Sequence, residues 1–183
     1  SIRNADGSVT LGNGQGGTVN ANSQGLASVT GTPSVTGAIE AVGANGGTIS
    51  IQARAISQGG TVAANGLNQG GSVVLNAAGQ LSLAGTTSAN GELSLGVGGA
   101  ISYSAGSVLE TSSGVTLANG GARGGSISVA VAGNFMTSGT YQANASHSKK
   151  GFGGRIDISA NDVRLFSANL SAVGSAQGGL VRL

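Results

Sequence analysis

Cysteine and tryptophan are missing from the chain, proline and methionine occur once each, and only five residues are aromatic. Without cysteine there is no disulfide framework and no thiolate metal site. Charge is scarce too: eight Lys and Arg stand against six Asp and Glu in 183 residues, where an ordinary domain devotes about a quarter of its residues to charge. A net charge of +2 makes no basic stripe of the kind phosphate binding needs, so we expect no nucleic-acid partner. No apolar run reaches the roughly 20 residues that a membrane-spanning helix requires. Disorder combines low hydrophobicity with high net charge, and this chain, with 39% hydrophobic residues, has the opposite balance.

Glycine is what the chain has instead, 36 residues of it. It does not fall at every third position, which excludes collagen. It recurs as pairs that open one phrase: two glycines, a small or polar residue, then alternating apolar residues. Copies read Gly46-Gly47-Thr48-Ile49-Ser50-Ile51, Gly70-Gly71-Ser72-Val73-Val74-Leu75 and Gly98-Gly99-Ala100-Ile101-Ser102-Tyr103. Further copies open at Gly124-Gly125, Gly153-Gly154 and Gly178-Gly179, and a degenerate first copy is Gly16-Gly17-Thr18-Val19-Asn20-Ala21. Successive copies are 30, 24, 28, 26, 29 and 25 residues apart. A period of this size means a solenoid, a propeller or an array.

Alternation marks a half-buried strand, because successive side chains point to opposite faces. The inward pairs are then Ile49/Ile51, Val73/Leu75, Ile101/Tyr103, Ile127/Val129, Ile156/Ile158 and Val181/Leu183. Most are β-branched or leucine, which favours strand over helix, and no stretch carries an apolar stripe at helical spacing. Each repeat has room for three short strands. Three assignments illustrate the reading: Ser72–Ala77, Gln80–Leu83 and Glu92–Val97; Ala100–Ala105, Ser107–Glu110 and Gly114–Ala118; Ser126–Val131, Asn134–Thr137 and Gly139–Ala143. Gly and Asn between them serve corners through their tolerance of positive φ. The expected fold is an all-β solenoid of about seven coils of three short strands. Stacked at the inter-strand spacing, the coils would make a rod roughly 34 Å long. The stretch 27–45, which holds Pro33, is read as an outward loop or extra turn.

Chemistry is hard to find. One histidine, His147, has no partner in a nucleophile arrangement, and no His or Cys spacing suits zinc. The acidic residues are Asp6, Glu40, Glu92, Glu110, Asp157 and Asp162, and none pairs across a strand slot as glycoside hydrolysis needs. No Gly-Gly pair continues into the calcium-binding pattern G-G-x-G-x-D. The outward Thr and Ser positions are too irregular for an ice-binding ladder. We therefore expect no enzyme activity, no cofactor and no metal. One segment concentrates character: Tyr141, His147, Lys149, Lys150, Phe152 and Arg155 fall close together. Loops on a rigid scaffold are where binding residues gather. The stretch 143–152 is thus the candidate binding loop, its aromatic and basic residues suited to an acidic glycan or a protein partner.

The phrases GGTISIQA, GGSVVLNAAGQLSLAG and GGRIDISANDVRLFSANLSAVGSAQGG resemble the repeat region of filamentous-haemagglutinin-type exoproteins, the large secreted partners of bacterial two-partner secretion systems. The resemblance implies a right-handed parallel β-helix, export through the outer membrane by a dedicated transporter, and a place on the cell surface or in the medium. It also implies an adhesive or toxin-delivering role toward a surface receptor or glycan. That family's secretion domain carries Asn-Pro-Asn motifs, whereas Pro33 here follows Thr32. The expectation is therefore a single stalk segment, residues 1–183, internal to a longer protein.

Overall fold

The computed structural model describes residues 37–183 in full and, before them, the backbone of five strands: Ile2–Arg3, Val9–Gly12, Thr18–Ala21, Ala27–Thr30 and Ser34–Val35. Among the described residues every regular element is a strand. Parallel strands stack coil on coil as a β-solenoid of about six turns.

Three sheets run along the stack. The first face carries the strands that follow Gly46-Gly47, Gly70-Gly71, Gly98-Gly99, Gly124-Gly125, Gly153-Gly154 and Gly178-Gly179: Thr48–Ala53, Ser72–Ala77, Ala100–Ala105, Ser126–Val131, Arg155–Ser159 and Leu180–Arg182. Its register is the one the repeat spacing dictates: Ser72 opposes Thr48 and Ala100, Ala100 opposes Ser126, and Arg155 opposes Ser126 and Leu180. The second face holds Ser34–Val35, Ile56–Gln58, Gln80–Leu83, Val108–Thr111, Asn134–Thr137 and Asp162–Leu165. The third holds Ile2–Arg3, Ala38–Glu40, Thr61–Ala63, Thr86–Ser88, Val115–Leu117, Thr140–Gln142 and Asn169–Ser171. A short fourth ladder, Gly43–Asn45 beside Gly66–Gln69, continues as single bridges through Val97, Arg123, Phe152 and Gln177.

The interior is filled as the alternation predicts. Ile49, Ile51, Val73, Leu75, Ile101, Tyr103, Ile127, Val129, Ile156 and Ile158 are buried in one core cluster. In the last coil the same columns open to solvent, Val181 being 40% exposed and Leu183 62%. Burial of each inner Val or Ile stabilises the fold by about 1.5–3 kcal/mol. Each such side chain packs on its counterparts in the neighbouring coils. The core also takes in polar groups in matched pairs. Tyr103 Oη lies 3.0 Å from Thr116 Oγ1, and Tyr141 Oη lies 2.7 Å from Thr111 Oγ1. The Phe135 ring meets Tyr141 edge-on, centroids 6.0 Å apart.

Four expectations need correction. The degenerate first phrase does not open a coil. Thr18–Ala21 runs antiparallel to both Val9–Gly12 and Ala27–Thr30, and Gly16 and Gly17 lie outside the described residues. Five residues separate Ala21 from Ala27, enough for a hairpin but far short of the dozen that a parallel crossover needs. The stack therefore has about six coils, not seven. Second, of the two readings of the stretch 27–45 the outward loop fails and the extra turn holds: it supplies Ala27–Thr30, Ser34–Val35, Ala38–Glu40 and Gly43–Asn45, each paired to the next coil. Pro33 itself lies outside the described residues. Third, Glu92–Val97 is not the third strand of its coil. That strand is Thr86–Ser88, and Glu92, Leu93, Ser94 and Leu95 are exposed.

The fourth concerns the reason for glycine. None of Gly46, Gly70, Gly98, Gly124 or Gly153 has a left-handed φ, and the described non-glycine residue that does is Ser167, at 59°. The corners need glycine because coils approach too closely there for a Cβ. On Gly71, Gly99, Gly125, Gly154 and Gly179, a Cβ would stand under 3.0 Å from a glycine carbonyl of the preceding coil. On Gly46, Gly70, Gly98, Gly124 and Gly153 it would strike the carbonyl of Ala64, Ala89, Ala118, Ala143 and Ala172 in turn.

Candidate functional site

The candidate loop separates into three unlike parts. Tyr141 belongs to the third face and is fully buried, its hydroxyl spent on Thr111. Burial raises its pKa, and hydrogen bonds from Thr111 and Thr137 only partly oppose that. It cannot meet a ligand, so this binding assignment is corrected. An aromatic residue in a chain nearly free of them reads as a surface anchor, but the inward slot of a coil takes it as filler.

His147, Lys149 and Lys150 form the second part, a turn that protrudes from the fourth edge of the coil. Its backbone still follows the stack: Ser146 N–H donates to Gly120 O and His147 N–H to Gly121 O, at 2.9 and 2.8 Å. His147 Nδ1 accepts from Lys149 N–H and Lys150 N–H, at 3.2 and 3.1 Å. Ser175 Oγ, one coil on, donates to His147 O and accepts from Gly151 N–H. The imidazole therefore closes a turn, and the two lysines project into solvent.

Phe152 is the third part. It stands on the fourth ladder, 41% exposed, between Arg123 and Gln177. The Arg123 guanidinium lies over its ring, 5.9 Å from the centroid, a cation–π arrangement. Lys149 and Lys150 lie on the turn, away from this pair in the ladder. The structure thus joins Phe152 to a residue the sequence did not single out, Arg123, and parts it from Tyr141.

Arg155 opens the first-face strand of its coil. It pairs through Nε with Asp157 Oδ2 and through Nη2 with Asp157 Oδ1, the latter at 3.0 Å. Arg182 Nε adds a contact to Asp157 Oδ1 at 3.0 Å. Hydrogen bonding to Arg155 holds the Asp157 carboxyl below the usual carboxylate range, with Arg182 contributing less. Asp162 pairs with Arg164 at 2.7 Å on the second face. Glu92 lies on the exposed turn 92–95 and Glu110 on the second face, so the acidic residues do not converge on one point.

An asparagine ladder escaped sequence reading altogether. Where the third face ends, four successive coils present Ala-Asn: Ala64-Asn65, Ala89-Asn90, Ala118-Asn119 and Ala143-Asn144. The Oδ1 of Asn65 accepts from Asn90 N–H at 2.9 Å, that of Asn90 from Asn119 N–H at 2.9 Å, and that of Asn119 from Asn144 N–H at 2.8 Å. Asn144 Oδ1 closes the row on Val173 N–H at 2.7 Å and Ser171 Oγ at 2.9 Å. A side-chain carbonyl here replaces the strand acceptor that a bending backbone cannot supply. The signal was the repeated dipeptide at constant distance after the third strand. Asn144-Ala145-Ser146 also fits a glycosylation pattern, in which the carboxamide nitrogen would carry the sugar, whereas the ladder uses the oxygen. No protein-family model, no curated protein and no solved structure matches the chain.

Proposed function

We propose that the chain is a scaffold segment of a large secreted bacterial surface adhesin of the two-partner secretion type, and that its mechanism is geometric. The supporting observation is the register. Three parallel sheets keep the same residue opposite its counterpart from coil to coil, from Thr48 through Leu180. Such a stack is stiff along its axis, and each coil contacts only its neighbours, so it lengthens by identical steps. Rods of this kind set a distance between a cell surface and a tip. Stepwise folding also suits passage through an outer-membrane pore as an unfolded chain, each coil adding to the last as it emerges. The outer surface fits a spacer in being built mostly from Ser, Thr, Asn, Gln and Gly, with few groups that perform acid–base chemistry.

The test uses the protein in its native host. In the full-length chain, this segment should be cut by protease added to intact bacteria. In-phase removal of residues 72–125, two coils, should shorten the surface fibre by about 10 Å while leaving export intact. Retention of the segment inside the cell, or loss of export on in-phase removal, would overturn the proposal.

A further inference from the structure

The Gly-Gly corners stack directly above one another, and the rod bears an open trough along that edge. Two cavities of about 660 and 480 Å³ lie in it and meet at Arg123. One rim is the fourth ladder, Gln69, Val97, Arg123, Phe152 and Gln177; the other is the start of the first face, including Thr48, Ser72 and Ser126. The trough passes through five coil steps, about 24 Å at the spacing of paired strands. We propose that it binds a linear anionic glycan lying along the rod axis. This goes beyond the scaffold role and does not depend on it.

Three observations select this ligand. The first is shape: an open trough repeating at every coil suits a polymer better than a compact molecule. The second is that the floor offers no strand edge. Gly46, Gly70, Gly98, Gly124 and Gly153 donate their N–H groups to Gln69, Val97, Arg123, Phe152 and Gln177 carbonyls, at 2.8–2.9 Å. Gly47, Gly71, Gly99, Gly125, Gly154 and Gly179 donate theirs to the alanine carbonyls of the corner, at 2.6–2.7 Å. A peptide could not dock there by strand addition, which depends on free main-chain groups. Recognition falls to side chains, and the rims supply amides, hydroxyls, one aromatic face and guanidinium groups. The third is charge. Asp157 engages Arg155, but among the described residues Arg123 has no carboxylate partner, and it stands over the exposed Phe152 ring. A guanidinium pairs with carboxylate or sulfate in a forked geometry, and a neighbouring ring offers an apolar face to the C–H side of a sugar. The same clamp holds the pair in place, since the carbonyls of Arg123 and Phe152 both accept from corner glycines.

The experiment measures binding of short polygalacturonate and heparin fragments to the purified chain by calorimetry, with neutral cello-oligosaccharides and a poly-glutamate peptide beside them. We expect an anionic glycan to bind and the neutral one to bind more weakly. Arg123→Gln and Phe152→Ala should each raise Kd about tenfold, the loss of one charge-assisted or stacking contact. The double variant Lys149→Ala/Lys150→Ala should change it less than about twofold, because those lysines lie on the turn outside the trough. Circular dichroism of each variant separates lost binding from lost folding. As a readout that does not need a variant, amide and Arg side-chain NMR shifts should move at Arg123, Phe152 and the glycine pairs. Absence of binding by either anionic glycan would overturn the proposal. So would binding that the lysine pair controls and Arg123 does not, or equal binding of poly-glutamate, which would mark a general anion or peptide surface. None of these results bears on surface exposure or fibre length, so the scaffold role stands or falls separately.

Discussion

From Val62 on the third face to Ser72 on the first there are ten residue steps, as there are from Thr116 to Ser126 and from Leu170 to Leu180. From Thr87 to Ala100 there are thirteen, and from Tyr141 to Arg155 fourteen. Elsewhere in these coils the path between equivalent residues varies by a single residue. The unequal coil lengths therefore arise almost wholly in the connection that leads into each Gly-Gly corner. The turn 92–95 and the turn that carries His147, Lys149 and Lys150 are where the surplus goes. The corner that follows admits no side chain at all. The two regions are adjacent in the chain, yet one accepts three or four extra residues while the other rejects a methyl group. A loop's length costs little conformational entropy. A Cβ at the corner must displace backbone that is hydrogen-bonded on both sides.

That contrast is breakable by substitution. Gly125→Val should be the most damaging corner change, on the order of 3 kcal/mol or more, and Ile127→Asp should equal or exceed it by burying an unpaired charge in the core. Chemical denaturation reads both, and an unchanged midpoint for Gly125→Val would mean the coils are farther apart than described. Alkaline titration is next. Burial raises the pKa of Tyr103, and of Tyr141, above the ordinary value of 10.0. The unfolded chain then ionises these phenols before the native one does, so their contribution to stability is complete below pH 10 and falls as pH rises past it. Tyr103→Phe combined with Tyr141→Phe should flatten that loss. Asn119→Ala should cost about 1 kcal/mol, one ladder acceptor, and the same change at Asn161, outside the ladder, should cost less. Removing Ser148, Lys149 and Lys150 should move stability by no more than about 0.5 kcal/mol, since the resulting coil keeps its corner and its strands.

The regular part of the molecule was legible because inward positions are apolar in alternation. Ile127, Ile156 and their column-mates announce both strand and register. What was not legible is where an inward slot is polar. Thr86-Thr87-Ser88 carries no apolar residue, so alternation points to Glu92–Val97, with its leucines, as the third strand. In the folded coil Thr87 is buried and serves the Tyr103 hydroxyl, a partner 16 residues away that alternation cannot register. Tyr141 failed in the converse way, an aromatic residue with a polar tip whose hydrogen-bond partner, Thr111, sits in the coil before it. The Arg123–Phe152 pair was hidden because 28 intervening residues come together only when one coil closes on the next.

From Gly46-Gly47 onward, each copy of the Gly-Gly phrase opens one coil and every coil adds one strand spacing. The chain has no cysteine, so two can be introduced for spin labels without interference. Gln52 and Ser159 are exposed and belong to one column, linked through Asn76, Ser104 and Ala130. Electron–electron distance measurement on Gln52→Cys/Ser159→Cys should give one narrow distribution centred near 19 Å, four strand spacings, broadened only by the label arms. A broad distribution, or a centre displaced by a strand spacing or more, would contradict the stacked register on which the rod, its trough and its proposed role all rest.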